Sequence, residues 1–216
     1  MMDGGKIVMA KILAINAGSS TLKWKLFSVP EETVIASGMV DRLGLPDSVF
    51  TIKKADGSKY SETKDQIDAK EASAMVLTRL KSDNIVTHLS EITGVGHRVV
   101  AGGEDFKDSV VITSQTLKKI KDLSEYAPLH NPTQAYYIEV FRDLLPKATQ
   151  VAVFDTSLYA DMPKVNYLYS IPYDYYEKFG ARKYGAHGTS HRYVANRTAQ
   201  LLGKPLDSLK LVTLHL

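Results

Sequence analysis

Lys11–Val29, KILAINAGSSTLKWKLFSV, decides the fold. KILAI is a short apolar run of the buried-strand kind, NAGSST is a polar turn, and LKWKLF alternates apolar with basic residues, the period of a half-buried strand. The stretch predicts a hairpin of two strands with one face on a core. Its turn gathers Asn16, Gly18, Ser19, Ser20 and Thr21, with Lys23 just inside the second strand. That is a dense set of donors for an anionic group, and it is also what any tight turn uses. On this stretch alone both readings stay open. The G-K-[ST] ending of a P-loop is absent and the turn leads into a strand, so no helix N-terminus points at a phosphate. Backbone N–H groups and hydroxyls remain as the lining of a phosphate pocket.

Outward from the hairpin, Thr33–Val40 and Val49–Lys54 read as further strands, the second followed by an Asp56-Gly57 turn. Several strands before any helix predict an antiparallel meander. A first helix is expected within Gln66–Lys81, where Ala72, Val76 and Leu80 recur on one stripe. A second runs over Thr116–Leu123, capped by Thr113 or Ser114, and a third to about Leu145, with Asn131 and Pro132 as its N-cap and first residue. Gly94–Glu104, GVGHRVVAGGE, is a glycine-bounded strand entered by His97 and Arg98, which should point to opposite faces. Val151–Phe154 is a compact strand ending at Asp155, where open α/β sheets place chemistry. After a tyrosine-rich connector, Arg182–His191, RKYGAHGTSH, opens a helix from Ser190 to Leu202 with Thr189 or Ser190 as cap and Gly203 as stop.

At 216 residues, with 44% hydrophobic and 24% charged residues, the chain has the makeup of a soluble globular protein. The net charge of +3 comes from scattered Lys and Arg, which argues against a nucleic-acid surface. The absence of cysteine excludes disulfides, thiol catalysis and Cys-ligated zinc. No apolar run approaches the roughly 20 residues that span a bilayer, and a cytoplasmic protein is the expectation. Met9 is an alternative start, with the residues before it an extension. Leu209–Leu216, LKLVTLHL, reads as a central buried strand at which the chain stops, and on that ground the chain is expected to be a fragment.

Several residues could carry chemistry. Arg98 suits a guanidinium fork for a carboxylate or phosphoryl group, or a structural salt bridge. Asp155 is open between a magnesium ligand, a general base, an orienter of Arg98 and a turn cap. His130, between Pro128 and Pro132, is either a substrate contact or bound to a turn carbonyl. His187, in a loop before a helix, makes sense as a donor to developing negative charge.

NAGSSTLK, GHRVVAGGE, YAPLHNP, VAVFDTS and YGAHGTSHRYV, in this order and at these separations, closely resemble the acetate kinase family. The resemblance implies an α/β fold of ribonuclease-H-like (actin-like ATPase) type: a mixed sheet with flanking helices over residues 11–155 after an extension at 1–10, followed by the start of a second similar, nucleotide-binding domain at 156–216. It implies a homodimeric, magnesium-dependent phosphotransferase that interconverts ATP plus acetate with ADP plus acetyl phosphate. Carried over by position, Asn16, Ser19, Thr21, Lys23 and His215 bind nucleotide or phosphate, with Asn16 also at the metal. Arg98, Val100, Leu129 and His130 bind the acyl substrate, and Arg98, Asp155 and His187 are catalytic. Ala101 and Ala186 stand where many members have histidine and phenylalanine, and Ala186 suggests an acyl pocket wide enough for propionate. The family's second phosphate loop would follow Leu216, so this chain alone is expected to be inactive. The alternatives are a propionate or butyrate kinase of the same superfamily and a non-catalytic fragment that associates with a partner chain.

Overall fold

The hairpin is the spine of the sheet. In the computed structural model, which describes residues 10–215, β1 (Ala10–Ala17) pairs antiparallel with β2 (Thr21–Val29), placing Asn16 opposite Lys23. Residues 1–9, with Met9 as alternative start, and Leu216 lie outside the described residues. β3 (Thr33–Asp41) and β4 (Ser48–Lys54) continue the meander where strands are expected. The structure then adds β5 (Lys59–Lys64), KYSETK, which is polar on both faces and almost wholly exposed. Hydrophobic periodicity has nothing to report there; pairing to β4 across the Asp56-Gly57 turn makes it a strand.

α1 (Ala69–Ser82) starts at Asp68, whose carboxylate accepts the Glu71 N–H, a cap worth about 1 kcal/mol. It buries Ala72, Val76 and Leu80 on the expected stripe. β6 (Ile92–Val99) then returns parallel to β1. β7 (Val110–Val111) is a short edge strand, α2 (Ser114–Asp122) is capped by Thr113, and α3 (Asn131–Leu144) leads to β8 (Thr149–Phe154), parallel to β6. The order is β5-β4-β3-β2-β1-β6-β8-β7. An antiparallel meander followed by parallel strands reached through helices is the mixed sheet that the family resemblance implies.

One face of this sheet is apolar: Leu13, Ile15, Leu22, Trp24, Leu26, Phe50 and Ile52 pack with α1 and with Tyr137 and Phe141 of α3. The other carries Asn16, Lys23, Lys25 and Lys53, all exposed. His97 and Arg98 separate onto these two faces as strand alternation requires. His97 is 2% exposed, with Nε2 2.8 Å from Gln150 Oε1 and its ring 5.9 Å from that of Phe141. Burial pushes its pKa down to about 4, against the opposing pull of the Gln150 hydrogen bond. The imidazole is thus neutral in the fold, and the unfolded chain, with an ordinary value near 6.5, takes up the proton first as pH falls. Stability at this site is full above about pH 6.5 and is lost as pH falls from there through about 4, with about 1.4 kcal/mol for each unit of separation. Urea midpoints measured from pH 7.5 to 4 should show this fall, and His97→Gln should flatten it.

After β8 the described residues hold α4 (Lys164–Tyr167), α5 (Asp174–Phe179), α6 (Gly188–Leu202) and one isolated bridge between Leu168 and Arg182. The strand expected over Leu209–Leu216 does not form in its described part, Leu209–His215. An apolar run becomes a strand only where another strand offers its N–H and C=O groups, and this run meets the first turn of α6 instead. His191 Nδ1 lies 2.7 Å from Thr213 Oγ1 and His215 Nδ1 lies 3.1 Å from Ser190 Oγ, while Val212 and Leu214 are 90% and 77% exposed.

Candidate active site

Three parallel strands end side by side, and each delivers one polar side chain. β1 ends near Asn16, β6 near Arg98, and the backbone N–H of Asp155 donates to Val99 O at 2.9 Å, carrying the β6–β8 ladder one residue past Phe154. Asp155 is 1% exposed. Its Oδ2 accepts from Arg98 Nη2 at 2.6 Å and from Nε at 3.0 Å, and its Oδ1 lies 3.3 Å from Nε. The other arm of the guanidinium, Nη1, donates to Asn16 Oδ1 at 3.2 Å. Of the contacts that the roles open to Asp155 would require, the one present is the ion pair with Arg98. Arg98 keeps one-third of its side chain exposed, so a guanidinium anchored at its back presents its front to solvent.

The turn before α6 closes on the same carboxylate. Gly185 has φ +79°, and a Cβ there would fall into the Tyr159 ring. His187 sits in the left-handed region at φ 54°, uncommon for a residue with a side chain. Gly188 N–H then donates to Asp155 O at 2.9 Å and Thr189 Oγ1 donates to Asp155 Oδ1 at 3.0 Å. The helix therefore starts at Gly188, two residues before the expected Ser190, and neither expected cap acts as one. The Thr189 hydroxyl is used as a donor to a buried acid and that of Ser190 by His215, whereas a cap must accept from the helix. The His187 ring stacks on His215, centroids 4.1 Å apart and planes within 1°, and its Nδ1 is buried without a hydrogen-bond partner.

Asn16, Lys23, Arg98 and Thr189 line one cavity of about 610 Å³ on the open face of the sheet, whose walls also include Lys25 and Lys53. Its charged side chains, Lys23, Lys25, Lys53 and Arg98, are all cationic and suit an anion, while Ile15, Trp24, Met39 and Val153 make much of the remaining wall apolar. The structure does not bring every expected residue there. Ser19 is exposed in the turn, the Thr21 hydroxyl donates to Asp41 Oδ1 at 2.9 Å, and neither lines the cavity. Leu129, 77% exposed, and His130, also exposed, lie outside its walls, as does the half-buried Val100.

Sequence reasoning missed the residues that hold the loop after Arg98. Three successive N–H groups donate to side chains: Val100 to Gln134 Oε1 at 2.9 Å, Ala101 to Asn131 Oδ1 at 3.0 Å, and Gly102 to Thr156 Oγ1 at 3.0 Å. Asn131, expected as the N-cap of α3, is the first helical residue, with His130 in the cap position. It is fully buried, and its amide also donates to Ala101 O and Ile120 O. An Asn before Pro reads locally as a cap; the one sequence signal for the clamp is Gln134, three residues on and so on the same helix face.

Residues 11–216 match the model of the acetokinase family. Over 208 residues the chain is 65% identical to acetate kinase 1 of Latilactobacillus sakei, covering 96% of this chain and 53% of that protein. It superposes on an acetate kinase of Porphyromonas gingivalis with a TM-score of 0.85 at 42% identity, covering 92% of this chain and 50% of that one. On a propionate kinase of Francisella tularensis the TM-score is 0.85 at 35% identity, over 91% and 50% of the two chains. The chain spans about half the length of the relatives it matches.

Proposed function

The chain belongs to the acetokinase family, and from that premise we propose that it carries the carboxylate- and phosphoryl-gripping part of an ATP-dependent acetate kinase. In this reading a carboxylate oxygen of acetate attacks the γ-phosphorus of ATP, the bond to the β–γ bridging oxygen breaks, and acetyl phosphate and ADP leave. Acetate is already ionised at neutral pH, so no general base is required. Catalysis is then alignment and neutralisation of charge on the transferring group. The observation that carries the reading is the Arg98 guanidinium, anchored by Asp155 and Asn16 and lining the cavity.

Arg98 grips the carboxylate and the phosphoryl oxygens, Asp155 holds it in place, and His187 donates to the transferring group, the role that the family resemblance gives it. Val100, Leu129 and His130 bound the acyl group, while Ser19, Thr21, Lys23 and His215 serve the nucleotide phosphates. Residues 11–155 form one domain and 156–216 begin the second. The enzyme works as a cytoplasmic homodimer. Magnesium accompanies ATP, but Asn16 Oδ1 faces a guanidinium and both Asp155 oxygens are taken by Arg98 and Thr189. These donors do not fit a metal site of their own, and nucleotide phosphates and water are the usual ligands of such an ion.

Propionate as acceptor is favoured by Ala186, a methyl-sized side chain next to His187. Calorimetric titration of acetyl phosphate into the chain tests the reading: saturable binding displaced by acetate is expected, with propionate nearly as effective. An isotherm without saturation, or one that acetate leaves unchanged, overturns it.

A further inference from the structure

The structure assigns Thr189 as a positioning residue that sets the Arg98 guanidinium through Asp155. The inference rests on Arg98 as the anion-gripping group. Asp155 offers two oxygens. Oδ2 receives both short contacts from Arg98, and Oδ1, with only the long 3.3 Å approach from Arg98 Nε, receives the Thr189 hydroxyl at 3.0 Å. The next residue back grips the same acid by its main chain, Gly188 N–H to Asp155 O at 2.9 Å. Asp155 is thereby held at its carbonyl and at the oxygen that does not carry the ion pair, and the plane of its carboxylate cannot rotate without breaking the Thr189 bond. That plane fixes the plane of the guanidinium, because a planar fork matches a carboxylate in one orientation.

Two further features support the assignment. Thr189 is exposed at the cavity wall, so its hydroxyl is not needed to satisfy a buried helix end. The left-handed φ of His187, immediately before Gly188, turns the chain so that Gly188 and Thr189 meet Asp155 together. Such backbone strain persists where surrounding contacts over-determine it.

The test compares Thr189→Val, which keeps the shape and removes the donor, with Thr189→Ser, which restores it. In the chain as it stands, the ¹⁵N–¹H signal of Arg98 Nε–Hε reports the ion pair, and inorganic phosphate is the binding probe. Thr189→Val should move this signal and speed its exchange with water, and weaken phosphate binding about tenfold, the order expected for one hydrogen bond to a charged group. Thr189→Ser should return both towards the parent values. An Arg98 signal unchanged in Thr189→Val overturns the assignment, whatever phosphate does. If the parent chain binds no phosphate, the reading of the site fails, and the Arg98 signal in the two variants alone decides the positioning role.

Discussion

Replacing Arg98 by alanine should abolish the proposed acetyl phosphate binding, a loss of at least about a hundredfold, since each hydrogen bond from a charged donor contributes about 1.5–3 kcal/mol and a planar fork makes two. The substitution also strips Asp155 of its cation. With 1% exposure, the acid keeps only Thr189 and long-range fields to offset its burial. Breaking a buried pair by removing one partner costs about 3–5 kcal/mol, and the lower end applies here because one-third of the Arg98 side chain meets solvent. Arg98→Lys separates the two effects. The charge stays near Asp155, so melting temperature should recover most of the loss. The fork does not, so affinity should remain well below the parent. Calorimetry and thermal melts on the two variants read the difference.

Gly188→Val should be nearly as damaging, by a different route. A Cβ at Gly188 would sit 2.3 Å from the Asp155 carbonyl oxygen and 2.7 Å from Leu158 Cβ. The first of these is backbone one residue beyond β8 and cannot give way, so the start of α6 must lift. The Gly188–Asp155 hydrogen bond and the Thr189–Asp155 bond break together. Overpacking of this kind costs on the order of 3 kcal/mol, and acetyl phosphate binding falls with it because Arg98 loses its fixed orientation. Gly203, the stop of the same helix at φ +62°, has nothing within 4 Å of a built Cβ. Gly203→Ala should therefore cost only the left-handed backbone, about 1 kcal/mol, and leave binding intact.

Where one face of an element meets a core, its place in the fold was legible. β1 to β4 and the stripes of α1 to α3 announce themselves because burial imposes a period, and His97 and Arg98 fall on opposite faces for the same reason. β5 escapes because neither of its faces is buried, and the run at Leu209–His215 misleads because apolar residues supply no partner strand.

The site was legible in its members rather than its wiring. An acid at the end of an apolar strand and an arginine in a glycine-bounded one are visible locally. That Arg98 Nη2 reaches Asp155 Oδ2, 57 residues on, follows only from β6 and β8 lying side by side. The short side chains at Asn131 and Thr189 read as caps because capping is the commonest use of such residues at a helix start. Both are instead spent on distant backbone or carboxylate groups; local sequence carries no trace of the Thr189 contact, and for Asn131 only Gln134 on the same helix face points to it.

In the proposed function Arg98, held by Asp155, grips the carboxyl and phosphoryl groups on the open face of the sheet. Amide and side-chain NMR shifts recorded while acetyl phosphate is titrated into the parent chain and into Arg98→Lys test it most directly. The prediction is saturating shifts at Asn16, Lys23, Arg98 and Thr189 in the parent, strongly weakened in Arg98→Lys. Equal titration curves in the two proteins would contradict it. So would shifts confined to the separate cavity of about 340 Å³ lined by Glu104, Lys107, Lys164 and Arg182.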